Sequence, residues 1–314
     1  MLGPVGPDVR ARRPLRDYVR DMGELRSITI DDQWTMSIGD LEVWPVFDGL
    51  AREDPTALYR VRDGEATAKG FAREDWLPHR DLLNASGQIE HAYGGFLVRS
   101  GDRLALIDAG VGPGQIGPYG PAKRVIRGGA LLYSLALIGV SLTDITDVIL
   151  THLHPDHYGW ATAEGGSLFP DATIRCHALD WDHFVTSPRG PSAFTTALLP
   201  LGARLQTFDR DGAILPGIDA QLAPGHTPGS TIIVLNSGPQ RALLLGDTVH
   251  CPVELVDVEW ASLGDFDPVV AQRTREQLAR ELEGSNTPAS GAHFAGMRFG
   301  RLLAGNGRRQ WVVP

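Results

Sequence analysis

The feature that most constrains this chain is a run of metal-ligating residue types, His152–His157, with the sequence HLHPDH. It follows Val148–Leu150, an apolar run rich in β-branched residues, so a strand is expected to end where the histidines begin. In an extended backbone His152 and His154 point to one side, and Pro155 then turns the chain so that the last two side chains can face a second ion. Three histidines and an aspartate within six residues have no ordinary packing role, so the run predicts a metal site.

Three later residues stand in similar settings. His226 lies in the turn sequence PGHTPG after an apolar run, Asp247 ends the run ALLLG, and His293 follows the small residues SGA. An aspartate at the end of a hydrophobic strand is costly to bury without a partner, and a metal ion would be such a partner. Taken alone, each of these would more often be a packing histidine or a turn aspartate.

In this order, the run and the later turns resemble the metallo-β-lactamase superfamily, whose motif is His-x-His-x-Asp-His. The resemblance extends from about Asp40 to Phe294. It implies an α/β fold, an αββα sandwich of two packed mixed sheets with helices on the outer faces and the metal site at one edge.

The resemblance also implies ligands for two metal ions that share one carboxylate. The ligands of the first ion would be His152, His154 and His226. Those of the second ion would be Asp156, His157 and His293, and Asp247 would bridge the two ions. Asp108, in the sequence LIDAG, matches a residue that supports the metal-binding turn from behind. Asp156 is also the expected catalytic proton acceptor. His250, three residues beyond Asp247, is a candidate for the substrate pocket.

Two divalent ions held by nitrogen and oxygen ligands are expected, most readily Zn²⁺, although iron, manganese and cobalt accept the same ligands. We therefore expect a hydrolase in which a metal-bridged hydroxide attacks a lactone, an ester or a phosphotriester. Asp247 stands where zinc β-lactamases carry Cys or His, which argues against that activity. The flanking sequences GGFLV and LIDAG resemble the branch of N-acyl homoserine lactonases and methyl parathion hydrolases.

Other activities on the same fold stay open from sequence. They are a glyoxalase II-like thioester hydrolase, an iron-dependent redox enzyme and a non-catalytic member that only binds. The basic C-terminal pattern of glyoxalase II is not evident. The complete ligand set argues against the single-iron enzymes and against a non-catalytic role. Lactonases of the branch often use a pocket tyrosine, and Tyr93, Tyr119 and Tyr158 are candidates without a motif match.

Composition narrows partners and location. The 314 residues carry a formal net charge of −9, which argues against nucleic-acid binding. The sequence contains no run of 18 apolar residues, so no transmembrane helix is expected. The substrate is expected to be a small molecule that is partly apolar. Only two cysteines occur, Cys176 and Cys251, and buried free thiols would fit a cytoplasmic protein. Residues 1–35 form an Arg-rich arm, which is compatible with a homodimer.

Residues 36–314 are expected to form one catalytic domain with irregular insertions near 51–93 and 182–200. A turn is expected at Asp48-Gly49. Helices are predicted over Ala130–Gly139 and Asp267–Glu283, the second with Gly284 as its stop. The predicted strands are Leu41–Asp48, Gly95–Ser100, Arg103–Ala109, Asp147–Thr151, Thr173–Ala178, Ala220–Ala223, Thr231–Asn236 and Arg241–Gly246.

Overall fold

The structure is a computed structural model that describes residues 35–314 apart from 64–66, 120–123, 164–166, 188–189, 191 and 306. The predicted N-terminal arm therefore lies outside the described residues except for its last position. In the described part, no helix is long and apolar enough to cross a membrane.

The described part contains both strands and helices. The strands are β1 (Met36–Ile38), β2 (Leu41–Glu53), β3 (Tyr59–Asp63), β4 (Thr67–Gly70), β5 (Ile89–Ser100), β6 (Arg103–Ile107), β7 (Gln115–Tyr119), β8 (Arg124–Arg127), β9 (Asp147–Ile149), β10 (Thr173–His177), β11 (Leu205–Phe208), β12 (Gly212–Leu215), β13 (Ile218–Leu222), β14 (Thr231–Ser237), β15 (Gln240–Leu244), β16 (Trp260–Ser262), β17 (Ala289–Ser290), β18 (Arg301–Gly305) and β19 (Arg308–Val312). The α-helices are α1 (Leu131–Leu137), α2 (Pro155–Tyr158), α3 (Ala178–Trp181), α4 (Ser192–Leu198), α5 (Val253–Val256) and α6 (Pro268–Ser285). 3₁₀-helical segments cover Pro55–Ala57, Arg73–Leu82, Leu199–Arg204, Gly246–Thr248 and Ala295–Met297, and a π-helical segment covers Asp182–Thr186.

Two mixed sheets form the body of the molecule. The larger has seven strands in the order β1-β2-β5-β6-β9-β10-β11, antiparallel as far as β6 and parallel from β6 onward. The smaller has five strands in the order β12-β13-β14-β15-β17, with only β15 and β17 parallel. Residues of both sheets meet in one apolar cluster, which includes Phe96 and Ile107 from the first sheet and Ile233 and Leu244 from the second.

The outer faces of the sheets are covered by helices. Leu131 and Leu135 of α1 pack on the larger sheet, and Leu278 and Leu282 of α6 pack on the smaller one. β14 therefore has both faces buried, which explains its continuous apolar sequence TIIVL. The arrangement confirms the αββα sandwich expected from the sequence.

The prediction of a turn at Asp48-Gly49 is wrong. β2 continues through it to Glu53, and the register with β5 shifts between Phe47 and Gly49, so the pair forms a β-bulge. The bulge turns the Asp48 carboxylate inward, where it accepts hydrogen bonds from four backbone N–H groups and from Nε1 of Trp160. A fully buried carboxylate with these donors is a structural anchor rather than a turn residue.

The expected irregular insertions carry more regular structure than their sequences suggest. Residues 51–93 contain the end of β2, β3, β4, two 3₁₀ segments and the start of β5. Tyr59 and Trp76 from this region pack with Trp260 of β16, since β3 pairs with β16. The second region, 182–200, contains a π turn and α4. Aromatic packing, which has no short sequence period, organises the first region.

Helix α6 begins as predicted and ends later. The Asp267 side chain accepts from the N–H groups of residues 269 and 270, and Pro268 occupies the first turn. Gly284 does not end the helix. It ends after Ser285 where Asn286 adopts a left-handed conformation, which asparagine tolerates. Arg275 is fully buried on its inner side, a position that an apolar stripe would not predict.

Candidate metal centre

The residues expected to bind metal converge at one edge of the sandwich. His152 and His154 follow β9, and Pro155 starts the single-turn helix α2 that carries Asp156 and His157. The other three ligands come from the segments that follow strands of the smaller sheet: His226 after β13, Asp247 after β15 and His293 after β17. Each side chain is therefore placed by the end of a strand whose register is fixed by the core.

The first cluster joins three histidines and one carboxylate. Nδ1 of His154 lies 3.0 Å from Nε2 of His152 and 2.9 Å from Nε2 of His226. Oδ2 of Asp247 lies 3.7 Å from Nε2 of His152 and 3.5 Å from Nε2 of His226. The ligand atoms of these four residues all lie within 4.8 Å of one another.

The second cluster shares Asp247 with the first. Nε2 of His157 lies 3.2 Å from Oδ1 of Asp247, and Nε2 of His293 lies 3.1 Å from its Oδ2. Oδ2 of Asp156 lies 3.5 Å from Nε2 of His293. These four residues again have ligand atoms within 4.8 Å of one another, so Asp247 is the member common to both clusters.

The donor set fits metal ions. Nε2 of His157 and Oδ1 of Asp247 are buried and have no hydrogen-bond partner among the described residues. The two atoms lie 3.2 Å apart without forming a hydrogen bond, and a cation between them would satisfy both buried atoms. Imidazole nitrogens and carboxylate oxygens are ligands that Zn²⁺ accepts. His152, His154, His226 and Asp247 would hold one ion, and Asp156, His157, His293 and Asp247 a second.

The electrostatics of the clusters favour a cation. Burial, reinforced by the neighbouring His226, lowers the pKa of His154 to about 3, which leaves its lone pair free for coordination. Burial also acts against charge on His157, but the Asp247, Asp108 and Asp156 carboxylates outweigh it and raise the pKa of that ring well above its usual value. The carboxylates thus stabilise positive charge at the position where the second cluster would hold an ion.

Asp108 lies behind the ligand loop, on the side away from the clusters. Its Oδ2 is 2.9 Å from Nδ1 of His157 and accepts from the Thr151 hydroxyl, and its Oδ1 accepts from the Thr151 N–H. Its backbone is left-handed, with φ at 61°, a conformation found at few non-glycine residues. The residue is therefore held in an uncommon conformation that aims its carboxylate at a ligand ring.

His250 reaches the same site. Its Nε2 lies 3.4 Å from Oδ2 of Asp247, and its Nδ1 lies 3.5 Å from the buried Glu254 carboxylate. It also lines the cavity described below. Burial lowers its pKa, but Asp247 and Glu254 outweigh that effect and raise the pKa of His250 to about 10.

Asp180 is a site residue that sequence reasoning missed. Its fully buried carboxylate accepts from the N–H of Leu153, from the Thr227 hydroxyl and from the N–H of Gly229. It therefore joins the loop of the first two histidine ligands to the loop of His226. The only sequence signal was an acidic residue after β10, in ALDW, which matches no metal motif.

A cavity of about 450 Å³ opens onto both clusters. Besides the ligands, its wall is mainly apolar and aromatic: Leu58, Tyr59, Tyr93, Ile116, Ile126, Phe194 and Leu263. Of the tyrosines considered from sequence, Tyr93 lines this cavity, with its ring 4.8 Å from that of His293. Tyr158 packs in the core instead. The side chain of Tyr119 lies outside the described part of the structure.

Known structures with the same fold agree with this architecture. AidC, a dizinc quorum-quenching lactonase in complex with a product, superposes with a TM-score of 0.74 at 24% identity, over 89% of this chain and 96% of AidC. The hydrolase AbOPH of the beta lactamase superfamily superposes with a TM-score of 0.73 at 22% identity, over 90% of this chain and 97% of AbOPH. A probable metal-dependent hydrolase from Staphylococcus aureus superposes with a TM-score of 0.68 at 21% identity, over 89% of this chain and 99% of that protein. At these identities the likeness concerns the fold.

Sequence relatives carry the same domain. Metallo-beta-lactamase domain-containing protein 1 of Mus musculus is 32% identical over 205 residues, 63% of this chain and 66% of the mouse protein. Its counterpart in Rattus norvegicus is 31% identical over 205 residues, which cover 63% of this chain and 69% of the rat protein. The chain thus matches about two thirds of the length of these relatives. The family model described as the Metallo-beta-lactamase superfamily matches residues 95–293. Such a match, running from β5 to the last predicted ligand, shows that the chain belongs to the metallo-beta-lactamase superfamily of metal-dependent hydrolases.

Proposed function

We propose that this protein is a dinuclear-metal-dependent hydrolase of a lactone, an ester or a phosphotriester, with Zn²⁺ as the most suitable metal. The observation that carries the proposal is the shared carboxylate: Asp247 belongs to both ligand clusters, and each cluster contributes residues to the wall of one cavity. When bound, two ions would activate a water molecule and polarise the scissile group. The buried free thiols of Cys176 and Cys251 are compatible with the cytoplasmic location expected from sequence.

Asp156 is proposed as the proton carrier. Its side chain is 17% exposed and faces the cavity, while His157 beside it is fully buried. A carboxylate at this position would take the proton of the attacking water and deliver it to the leaving oxygen. His250, which lines the cavity with its Nε2 3.4 Å from Oδ2 of Asp247, would contact the substrate or the leaving group.

The proposed substrate is a small molecule with an apolar part. The cavity volume of about 450 Å³ suits a small molecule, and the apolar part of its wall includes Leu58, Ile126 and Phe194. An acyl chain or an aryl group would lie against this wall while the polar, scissile group faces the ligands. One of the fold neighbours is described as a lactonase and another as a hydrolase, which supports hydrolysis and, within this range, a lactone.

Metal analysis tests the first part of the proposal. Protein purified without chelator and reconstituted with Zn²⁺ should retain about two ions per chain. His154→Ala should lose metal and activity together, whereas His183→Ala, which changes a histidine outside the clusters, should lose neither. One bound iron per chain together with oxygen consumption would overturn the proposal in favour of a redox enzyme.

A substrate panel tests the second part. Zinc-loaded protein should cleave at least one class among acyl homoserine lactones, aryl esters and phosphotriesters, and a chelator should abolish that cleavage. Turnover of a glutathione thioester alone would replace the proposal with a glyoxalase II-like activity. A metal-loaded protein that cleaves none of these compounds would contradict the proposed substrate range.

A further inference from the structure

We propose that Arg275 is a positioning residue for the metal centre, because one buried guanidinium holds the two carboxylates that stand behind His226 and His250. The inference rests on the proposed metal site. Arg275 lies on α6, and its side chain, like those of Asp265 and Glu254, is 0% exposed. A buried arginine between two buried carboxylates, in a helix otherwise packed by apolar residues, calls for a role beyond packing.

The first arm of the network leads to a metal ligand. Nη2 of Arg275 lies 2.8 Å from Oδ2 of Asp265, and Nη1 lies 3.4 Å from Oδ1. Oδ1 of Asp265 in turn lies 3.5 Å from Nδ1 of His226. Because a carboxylate favours the proton on the nitrogen it faces, we infer that the charge of Asp265, at 3.5 Å and without a hydrogen bond, keeps that proton on Nδ1 and leaves the Nε2 lone pair of His226 for the metal.

The second arm leads to the cavity. Nη1 of Arg275 lies 3.6 Å from Oε1 of Glu254, whose Oε2 accepts from the N–H of His250 at 2.6 Å and lies 3.5 Å from its Nδ1. Glu254 therefore holds the backbone of His250 by a hydrogen bond and faces its ring at ion-pair distance. The Nε2 atom of that ring is thereby directed at Asp247, the shared member of the two clusters.

The guanidinium is suited to this double task. Two carboxylates buried side by side would repel each other and would lose their hydration, so a cation between them is required. Arginine offers several N–H donors in a rigid plane and can serve both carboxylates at once, whereas lysine presents a single point charge. Nη1 also lies 3.5 Å from the carbonyl oxygen of Thr248, the residue after Asp247. The same side chain thus supports the loop that carries the bridging ligand.

Metal affinity and the spectrum of Co²⁺-loaded protein test the inference without relying on activity. Arg275→Met and Arg275→Lys should each weaken the binding of one ion by about 10- to 100-fold. They should also change the visible absorption of bound Co²⁺, because the ring of His226 loses its fixed orientation. Asp265→Asn should reproduce both effects, and combining it with Arg275→Met should add little, as expected for members of one network.

Glu254→Gln separates the two arms. It should leave metal affinity unchanged but alter kcat on whichever substrate the enzyme turns over, since His250 is not a metal ligand. Arg309→Met is the matched control, because Arg309 pairs with Glu276 and Glu283 of the same helix, away from the metal centre. That variant should keep the Co²⁺ spectrum and the metal affinity of the parent.

The outcomes distinguish this inference from the proposed function. Folded Arg275 variants with unchanged metal affinity and an unchanged Co²⁺ spectrum would overturn the inference while leaving the hydrolase intact. If the Arg275 variants do not fold, the Asp265→Asn protein decides, since an unchanged Co²⁺ spectrum there has the same meaning. A parent protein that binds no divalent metal would overturn the proposed function and the inference together.

Discussion

Nδ1 of His157 lies 2.9 Å from Oδ2 of Asp108, a residue that precedes it by 49 positions and adopts a left-handed backbone. The contact fixes which nitrogen of the ring carries the proton, and so directs Nε2 toward Asp247 and Asp156. The carboxylate also accepts from the backbone and hydroxyl of Thr151, the residue before the first ligand. One aspartate therefore sets both the start of the ligand loop and the orientation of its last histidine.

Asp108→Asn should weaken metal binding while preserving the fold. Asparagine tolerates the left-handed backbone, so the turn survives, but the neutral amide no longer fixes the His157 tautomer. We expect a loss of about 10- to 100-fold in metal affinity, measured by competition with a chelator. Asp108→Ala should lose affinity and, in addition, about 1 kcal/mol of unfolding free energy because alanine is strained there. Equal stability of the two variants would contradict the strain argument.

Much of the candidate site was predictable because its signals are local. The histidine run, the strand before it and the later Gly-His and Gly-Asp turns each occupy a few consecutive residues. The family resemblance then predicted that these separate segments form one site. Asp180, by contrast, meets Leu153 and Gly229 across 27 and 49 positions. Nothing near Asp180 in sequence marks it as a partner of two ligand loops.

The errors in the predicted fold also come from contacts between residues that are far apart in the sequence. Asp48-Gly49 has the composition of a turn, but pairing with β5 on one side and five hydrogen-bond donors to the Asp48 carboxylate on the other hold it in a bulged strand. Arg275 violates the apolar stripe of α6 because its partners, Asp265 and Glu254, come from other segments. Tertiary partners of this kind override local propensity and cannot be read from a single sequence.

The aromatic wall of the cavity should govern substrate binding rather than turnover. Phe194 stacks on Phe184, with ring centroids 5.2 Å apart, and faces the cavity near His154. Phe194→Ala should remove roughly 1.4 kcal/mol of apolar contact and raise KM about tenfold for the substrate with the longest apolar group, with kcat nearly unchanged. Leu199→Ala, at a residue 57% exposed and away from the cavity wall, should leave KM unaltered. A fall in kcat alone would contradict this role.

The ion-paired rim of the cavity should contribute to stability in a pH-dependent way. Glu53 pairs with Arg124 through both carboxylate oxygens and lies 3.2 Å from Nδ1 of His91. Burial alone would raise the pKa of Glu53, but hydrogen bonding and charge from His91 and Arg124 outweigh it and lower that pKa below its usual value. A lowered carboxyl pKa in the folded state stabilises the protein above the unfolded-state pKa of about 4.3, and this contribution is lost as the pH falls below it.

Glu53→Gln should therefore destabilise the metal-free protein by about 2 kcal/mol at pH 7, and the difference from the parent should shrink toward pH 3. Urea unfolding at several pH values, with chelator present, measures both quantities. Glu90→Gln, which breaks the more exposed pair with Arg52, should change stability by less than about 1 kcal/mol at any pH. A difference for Glu53→Gln that grows as the pH falls would contradict the assigned direction of the pKa shift.

Two glycines associated with α6 should respond to alanine in opposite ways. Gly225, just before His226, has φ at 134°, and a Cβ there would lie 2.3 Å from the backbone N and Cα of Ala271. Gly225→Ala should therefore push the helix away from the ligand loop, lowering the unfolding free energy by about 3 kcal/mol and weakening metal binding. Gly284 is helical and exposed, with no described atom within 4 Å of an added Cβ, so Gly284→Ala should stabilise by about 0.5 to 1 kcal/mol. Denaturant unfolding of both variants checks the pair, and a destabilised Gly284→Ala protein would mean that the helix ends before residue 284 after all.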